Sequence, residues 1–394
     1  MPNSWPLVAL GEVVTERQEV PPAEAVLRGE IPIVAKVGFN DGQILLRTTT
    51  QTKTGMILVR PGDLLVSGIN AAKGAIAVYG IENEKPIAAT IHYGAYIPNK
   101  DRADVRYLWW LLRSRTFREL LMEYVPGGIK TELKAKRLLP VPLPLAPLDE
   151  QRRIVARIEA LAAKIQEARG LRCQAVIEAE ELDARATERC FTDLLSRGVL
   201  ARPFQGVCDR ITVGYVSSMR HAYRDVGVPF LRSQNVRKNR FEPQGLCFIA
   251  REFHKANPKS ALQPGDVVIV RTGFVGIGCV IPATLKEANC ADLVIVRPSR
   301  LLDSEYAARF LNSVSGRNRA ASASVGSAQK HYNVGAMRKT QIPLPPLPEQ
   351  HRIVAYLDAL QAKVDALKKL QAETAAELDA LLPSILDRAF HGKL

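Results

Sequence analysis

The chain has 394 residues, 47% of them hydrophobic and 24% charged, with a mean hydropathy of −0.04, enough for two ordinary domains with their own cores and unlike a disordered polymer. A net charge of +14 points to a polyanionic partner. The longest apolar run, 138–148, is broken by prolines and falls short of the ~20 residues that cross a bilayer; the start, 1–14, lacks the basic opening of a secretory leader, so a cytoplasmic protein is expected.

In chain order, β-branched runs at 31–35, 64–67 and 75–79 alternate with turn signals such as Asn40-Asp41-Gly42 and Pro61-Gly62-Asp63, and predict strands. A helix is predicted over 106–122. After a Pro-rich strand, Pro147-Leu148-Asp149-Glu150-Gln151 opens a long helix, with proline before it and acids in its first turn. Its apolar stripe runs Ile154, Ile158, Leu161, Ile165, Ala168. Gly170 is placed to bend this helix and Gly198 to stop it. Strands follow at 267–271, 279–281 and 293–296, then a helix over 304–314. A second long helix carries the stripe Ile353, Leu357, Leu360, Val364, Leu367, whose steps of four and three are heptad spacing. Pro383 is expected to kink or end its main run, and Gly392 to close it.

The two halves repeat one another. Pro147-Leu148-Asp149-Glu150-Gln151-Arg152-Arg153-Ile154-Val155-Ala156 recurs 199 residues later as Pro346-Leu347-Pro348-Glu349-Gln350-His351-Arg352-Ile353-Val354-Ala355. Upstream, Arg60-Pro61-Gly62-Asp63-Leu64-Leu65-Val66 resembles Gln263-Pro264-Gly265-Asp266-Val267-Val268-Ile269. The unit is an α+β globular domain followed by a helix, used twice: domains at 1–147 and 198–345, helices at 148–197 and 346–394. If the second helix packs on the first, it must run back along it. The pair is then an antiparallel coiled coil of ~50 residues, spanning ~75 Å at 1.5 Å per residue. Its seam would comprise Ile154, Ile158, Leu161 and Ile165 with Ile353, Leu357, Leu360 and Val364. Residues 1–147 hold 18 Lys+Arg against 14 Asp+Glu, a net of +4, and residues 198–345 hold 21 against 9, a net of +12. Each helix nets −1. The helices therefore read as scaffold, and the globular domains as the candidates for a phosphate footprint.

A Pro-rich strand running into Pro-Leu-x-Glu-Gln-x-Arg-Ile-Val-Ala at the head of a coiled-coil helix, present twice at half-chain spacing, resembles the specificity (S) subunit of type I restriction–modification systems. The ending Ala389-Phe390-His391-Gly392-Lys393-Leu394 is also similar to that family's close. The resemblance implies two target-recognition domains, each reading one half of a split, asymmetric site in double-stranded DNA, with the helices fixing the spacer. It implies two methylation (M) subunits docked beside the helices, and restriction (R) motor–nuclease subunits. S-adenosylmethionine, ATP and Mg then belong to those partners and no cofactor to this chain.

Base reading needs donors and acceptors on groove-reaching loops. Three places qualify. The first is the loop after the Pro-Gly-Asp strand, with Asn70 and Lys73 in one half and Arg271 and Thr272 in the other. The second precedes the Pro-rich strand, with Lys130 and Thr131, then Gln329, Lys330, Tyr332 and Asn333. The third is Arg232, Gln234, Asn235, Arg237, Lys238 and Arg240, whose first-half counterpart, 35–42, is far less basic. A β-turn, a solvated linker and a charged hairpin tip are the plainer readings of the three.

No Gly-x-x-x-x-Gly-Lys-Ser/Thr loop and no Asn/Asp-Pro-Pro-aromatic motif occurs. The six cysteines form no Cys-x-x-Cys pair, the six histidines are scattered, and neither a metal site nor a disulfide framework is expected. The rival is an autonomous nuclease or modification enzyme built on Asp63 or Asp266 with Glu132-Leu133-Lys134. A third possibility is a coiled-coil assembly protein without a DNA role.

Overall fold

Each Pro-Gly-Asp turn reverses the chain through a glycine at positive φ, 91° at Gly62 and 85° at Gly265, a conformation that favours glycine. The strand that follows each turn is an inner strand of a sheet. In the computed structural model these sheets belong to two compact units, Met1–Arg172 with Ala372–Leu394, and Cys173–Gln371. The structure describes residues 5–50, 54–80, 82–125, 132–219, 222–272, 275–322 and 334–394.

In the first unit, β1 (Val14–Glu16), β2 (Leu64–Ser67), β3 (Ile76–Val78) and β4 (Tyr93–Pro98) form an antiparallel sheet in the order β1-β4-β2-β3. All four residues of β2 are buried. One face meets Val34, Val59 and Ile87. The other meets the helices α1 (Val105–Leu112) and α2 (Arg115–Tyr124). The single helix expected over 106–122 is thus two. Ser114 ends the first with a hydroxyl bond to the Leu111 carbonyl (2.6 Å) and caps the second by accepting from Phe117 N–H (3.2 Å). A ribbon pairing Leu7–Ala9 with Pro142–Pro144 leads into α3 (Leu148–Ser196), a 49-residue helix ~74 Å long.

The second unit repeats the plan with β5 (Cys208–Val213), β6 (Val267–Val270), β7 (Gly278–Val280) and β8 (Leu293–Pro298) in the order β5-β8-β6-β7. It includes α4 (Ser304–Asn312) and a ribbon pairing Ala201–Pro203 with Gln341–Pro343. Its helix α5 is Leu347–Glu373; the last helix, α6 (Ala375–Phe390), belongs to the first unit. A five-stranded sheet that includes Val228–Leu231 and Ala288–Cys290 covers the other side of β6. The chain is therefore mixed α+β with two long helical stretches.

The repeated Glu-Gln has a structural cause. The side chain of Gln151 is fully buried; its Oε1 accepts from Asp104 N–H (2.8 Å), and its Nε2 donates to the carbonyls of Arg102 (3.0 Å) and Ala146 (2.7 Å). Gln350 does the same with Asp303 N–H (2.8 Å), Leu301 (3.0 Å) and Pro345 (2.8 Å). Beside each, a buried tyrosine donates to a Pro-rich-strand carbonyl: Tyr107 to Pro144 (2.9 Å), Tyr306 to Pro343 (2.8 Å). Both clasps lock a long helix to its domain by satisfying buried polar groups.

Within each unit the helices run antiparallel. Arg169 pairs with Asp379 (2.7 Å) and Arg172 donates to Thr374 Oγ1 (2.6 Å) in the first. Lys368 pairs with Glu180 and Arg197 with Glu349 (3.1 Å) in the second. Ile154, Ile158, Ile165, Ile353, Leu357 and Val364 are buried, and Leu161 and Leu360 half-buried. Ile154 and Ile158 also pack into the first domain's core, as Ile353 and Leu357 do into the second's. Pro383 does not end the last helix, which runs through it to Phe390, and α3 continues through Gly170. The interruption is at Thr374, where ψ is 2°. Its hydroxyl is engaged by Arg172 and makes no cap bond to the helix that follows. Gly198 and Gly392 do follow their helices at positive φ, 81° and 66°.

Candidate nucleic-acid interface

In the first unit the loop after β2 is fixed by backbone hydrogen bonds. Gly68 N–H donates to the His92 carbonyl, and Leu133 N–H to the Gly68 carbonyl, both at 2.7 Å. The loop after β2 therefore lies against the chain at Leu133. Within that loop Ser67 Oγ accepts from Asn70 N–H (3.2 Å); Asn70 is half-buried and Lys73 exposed. Gly74 has φ of 90°, and a Cβ there would stand 2.6 Å from the Phe39 carbonyl, so the loop also abuts the hairpin tip. Lys130, Thr131, Gln329, Lys330, Tyr332 and Asn333 lie outside the described residues.

In the second unit the third segment folds as a turn and a two-residue hairpin, Val236–Arg237 against Arg240–Phe241, with Asn239 at φ 57°. Asn235 is fully buried; its Oδ1 accepts from Arg232 N–H (3.0 Å) and its Nδ2 donates to the Glu242 carbonyl (2.9 Å). Its amide thus holds the loop's shape. Arg232 and Gln234 donate to the Gly245 carbonyl (3.2 and 2.9 Å). Lys238 reaches buried Asp183 on α3 (3.1 Å). Arg237 and Arg240 are exposed, Arg240 at 3.4 Å from Glu242. Asp292 takes Arg271 (3.0 Å) and the Thr272 hydroxyl. Arg237 and Arg240 are the freest of this set to meet a ligand.

The carboxylates invoked for a nuclease are placed otherwise. Asp63 accepts from Arg17 (2.6 and 2.8 Å) and from Arg60 N–H (2.8 Å). Asp266 accepts from Arg297 (both 2.8 Å) and Gln263 N–H (3.0 Å). Both bidentate pairs fasten the Pro-Gly-Asp turn to its sheet. Glu132 sits between His92 and Lys134, each at 3.0 Å, and these partners hold its carboxyl below the usual range. Among the described residues no three His, Cys, Asp or Glu side chains group as a metal site. Burial pushes the Cys208 and Cys279 thiols up to about 12 and raises Cys290 as well.

Sequence reasoning missed the Gln clasps, although a Gln repeated beside apolar residues is itself a signal for a buried, fully bonded amide. It also missed Arg113, which stacks on Trp109 at 4.2 Å from the ring centre, a pairing legible as aromatic and cation four apart on a helix.

Residues 210–375 match the family model of the type I restriction modification DNA specificity domain. A solved chain from a study of complex assembly and conformational transition of the type I R-M system matches with a TM-score of 0.72 and 25% identity, covering 100% of this chain and 99% of that one. The chain is similar to type I specificity subunits, in sequence over 210–375 and in fold along its length. The crystal structure of the HsdS subunit from Thermoanaerobacter tengcongensis agrees, with a TM-score of 0.62, 25% identity, and coverage of 100% and 98%. Among curated relatives, the EcoKI specificity subunit of Escherichia coli (strain K12) is 28% identical over 175 residues, 43% of this chain and 37% of that protein. The StySPI specificity subunit of Salmonella potsdam is 27% identical over 180 residues, again 43% and 37%. The chain thus aligns with a little over a third of the length of these curated specificity subunits. No helix among the described residues is long and apolar enough to cross a membrane.

Proposed function

We propose that the chain is the DNA-recognising subunit of a type I restriction–modification complex. Each domain reads one half of a split, asymmetric site, and the long helices set the gap between the halves. The observation that carries this reading is the doubled clasp. Gln151 and Gln350 fix two equivalent domains, one to the head of each long helix, by the same three hydrogen bonds. Duplicated readers on rigid rods suit a bipartite target, as two half-sites one or two helical turns apart require. The chain itself is non-catalytic on this reading. Methylation subunits dock along the helices and bring S-adenosylmethionine; motor–nuclease subunits bring ATP and Mg. The placement of Asp63 and Asp266 in arginine pairs argues against the rival nuclease built on them. Mapping methylated bases in a host carrying this chain with its methylation subunit tests the proposal. A single motif of two short specific blocks around a fixed unspecified gap is expected; one unbroken motif would refute it, and so would turnover of DNA by the purified chain alone.

A further inference from the structure

The first half carries a net charge of only +4, yet its unit gathers cations around one cleft of about 770 Å³. Trp109 and Trp110 line it together with the hairpin tip at Asn40-Asp41, the Lys73-Gly74 turn and the start of α2 at Ser114. Arg113 lies between them. Its guanidinium stacks 4.2 Å from Trp109 and 5.8 Å from Trp110, and Nη2 donates to the Phe39 (3.2 Å) and Asn40 carbonyls. Its Nε and Nη1 are buried without a hydrogen-bond partner. Burial pulls this guanidinium down to about 10, the mark of a cation poorly stabilised where it stands.

The other charged groups facing the cleft are Lys73, Arg115, Arg118 and Arg169, with the carboxylates Asp41 and Asp379. Two of these cations are already answered, Arg115 by Glu119 (2.7 Å) and Arg169 by Asp379 (2.7 Å). Among the described residues, no carboxylate pairs with Lys73 or Arg118, both exposed. Lys73, Arg113 and Arg118 are left facing Asp41. In the second unit, by contrast, the hairpin-side cleft has its lysines neutralised, Lys238 by Asp183 and Lys368 by Glu180.

We infer that the first-unit cleft seats backbone phosphate of the DNA beside the half-site read by that domain, with Lys73 and Arg118 as direct contacts and Arg113 as the charge beneath them. This rests on the proposed function and deepens it. Lys73 shares its turn with the candidate reading residue Asn70, two residues from the Gly68 backbone that bonds to His92 and Leu133. The ten-residue helix α2, capped by Ser114, starts at the cleft and brings the positive end of its dipole there. A low total charge is thereby concentrated where the duplex would lie.

The test is duplex binding by the full chain across a salt series, with Lys73→Gln and Arg118→Gln, both surface changes that leave the fold intact. Removing either cation from its phosphate should make the slope of log K against log salt shallower by about 0.9. Target and non-target duplexes should be weakened alike, and Lys73→Arg should keep the parent slope. Unchanged slopes in both variants, with the parent chain still selective, overturn the phosphate seat and leave the DNA reading standing. A parent chain without salt-dependent binding overturns both. Unchanged DNA slopes with loss of the co-purifying methylation subunit would reassign the cleft to an acidic protein surface, which also overturns the inference.

Discussion

Gln151 and Gln350 show how one side chain ties an element to a domain. Replacing either with alanine strands one buried carbonyl, with a further carbonyl and an N–H that are part-buried. Such a change should cost about 2–4 kcal/mol, because unmet buried polar groups cost more than the bond itself contributes. Urea unfolding of Gln350→Ala measures it; a loss under about 0.5 kcal/mol would mean the amide is no clasp. The arginine–aspartate pairs behave similarly. Asp266 has no exposed surface and holds the guanidinium of Arg297 in two bonds, so Asp266→Ala should destabilise by about 3–5 kcal/mol, the range for removing one partner of a buried pair. The thiols give a third check. Cys173 is exposed, whereas Cys279 and Cys290 are buried with raised pKa values. Alkylation near pH 8 should label Cys173 in the folded chain, and the buried pair only when denaturant opens it. Rapid labelling of Cys290 in the native state would contradict the packing described.

At the scale of elements, α3 is the clearest case of local pattern and tertiary need agreeing. Gly170 is its weak link: a Cβ there would meet nothing within 4 Å. Gly170→Ala should therefore stabilise the chain by about 0.5–1 kcal/mol, seen as a higher Tm; destabilisation would mean that the helix needs the glycine's backbone freedom there. The strand 64–67 and the helix heads were legible because burial imposes a period that residue types must follow. The split at Ser114 was legible in principle, since a serine three residues before Phe117 is an N-cap signature. Pro383 does not end α6, because packing of Leu386, Ala389 and Phe390 into the first domain's core holds the helix together across the lost backbone bond. The candidate reading segments were legible only as composition. Lys238 on Asp183, and Asn235 folded into its own loop, depend on partners 55 and 7 residues away that no local period encodes.

For the whole molecule, duplication is the organising fact, and it was plain in the sequence as a motif recurring at 199 residues. The structure adds what the motif does: it fastens a mixed α+β domain to a long helix, twice. On the proposed function this makes target halves and spacer separable properties, the halves residing in the domains and the gap in helix length. Deleting one helical turn from α3 together with its facing turn in α5 should change the unspecified gap while both half-site sequences persist. Exchange of residues 198–345 for those of a relative with a different target, followed by mapping of methylated bases in the host, tests the account most directly. One half of the recognised motif should change while the other half and the gap stay as they were; a change in both halves, or in neither, would contradict it.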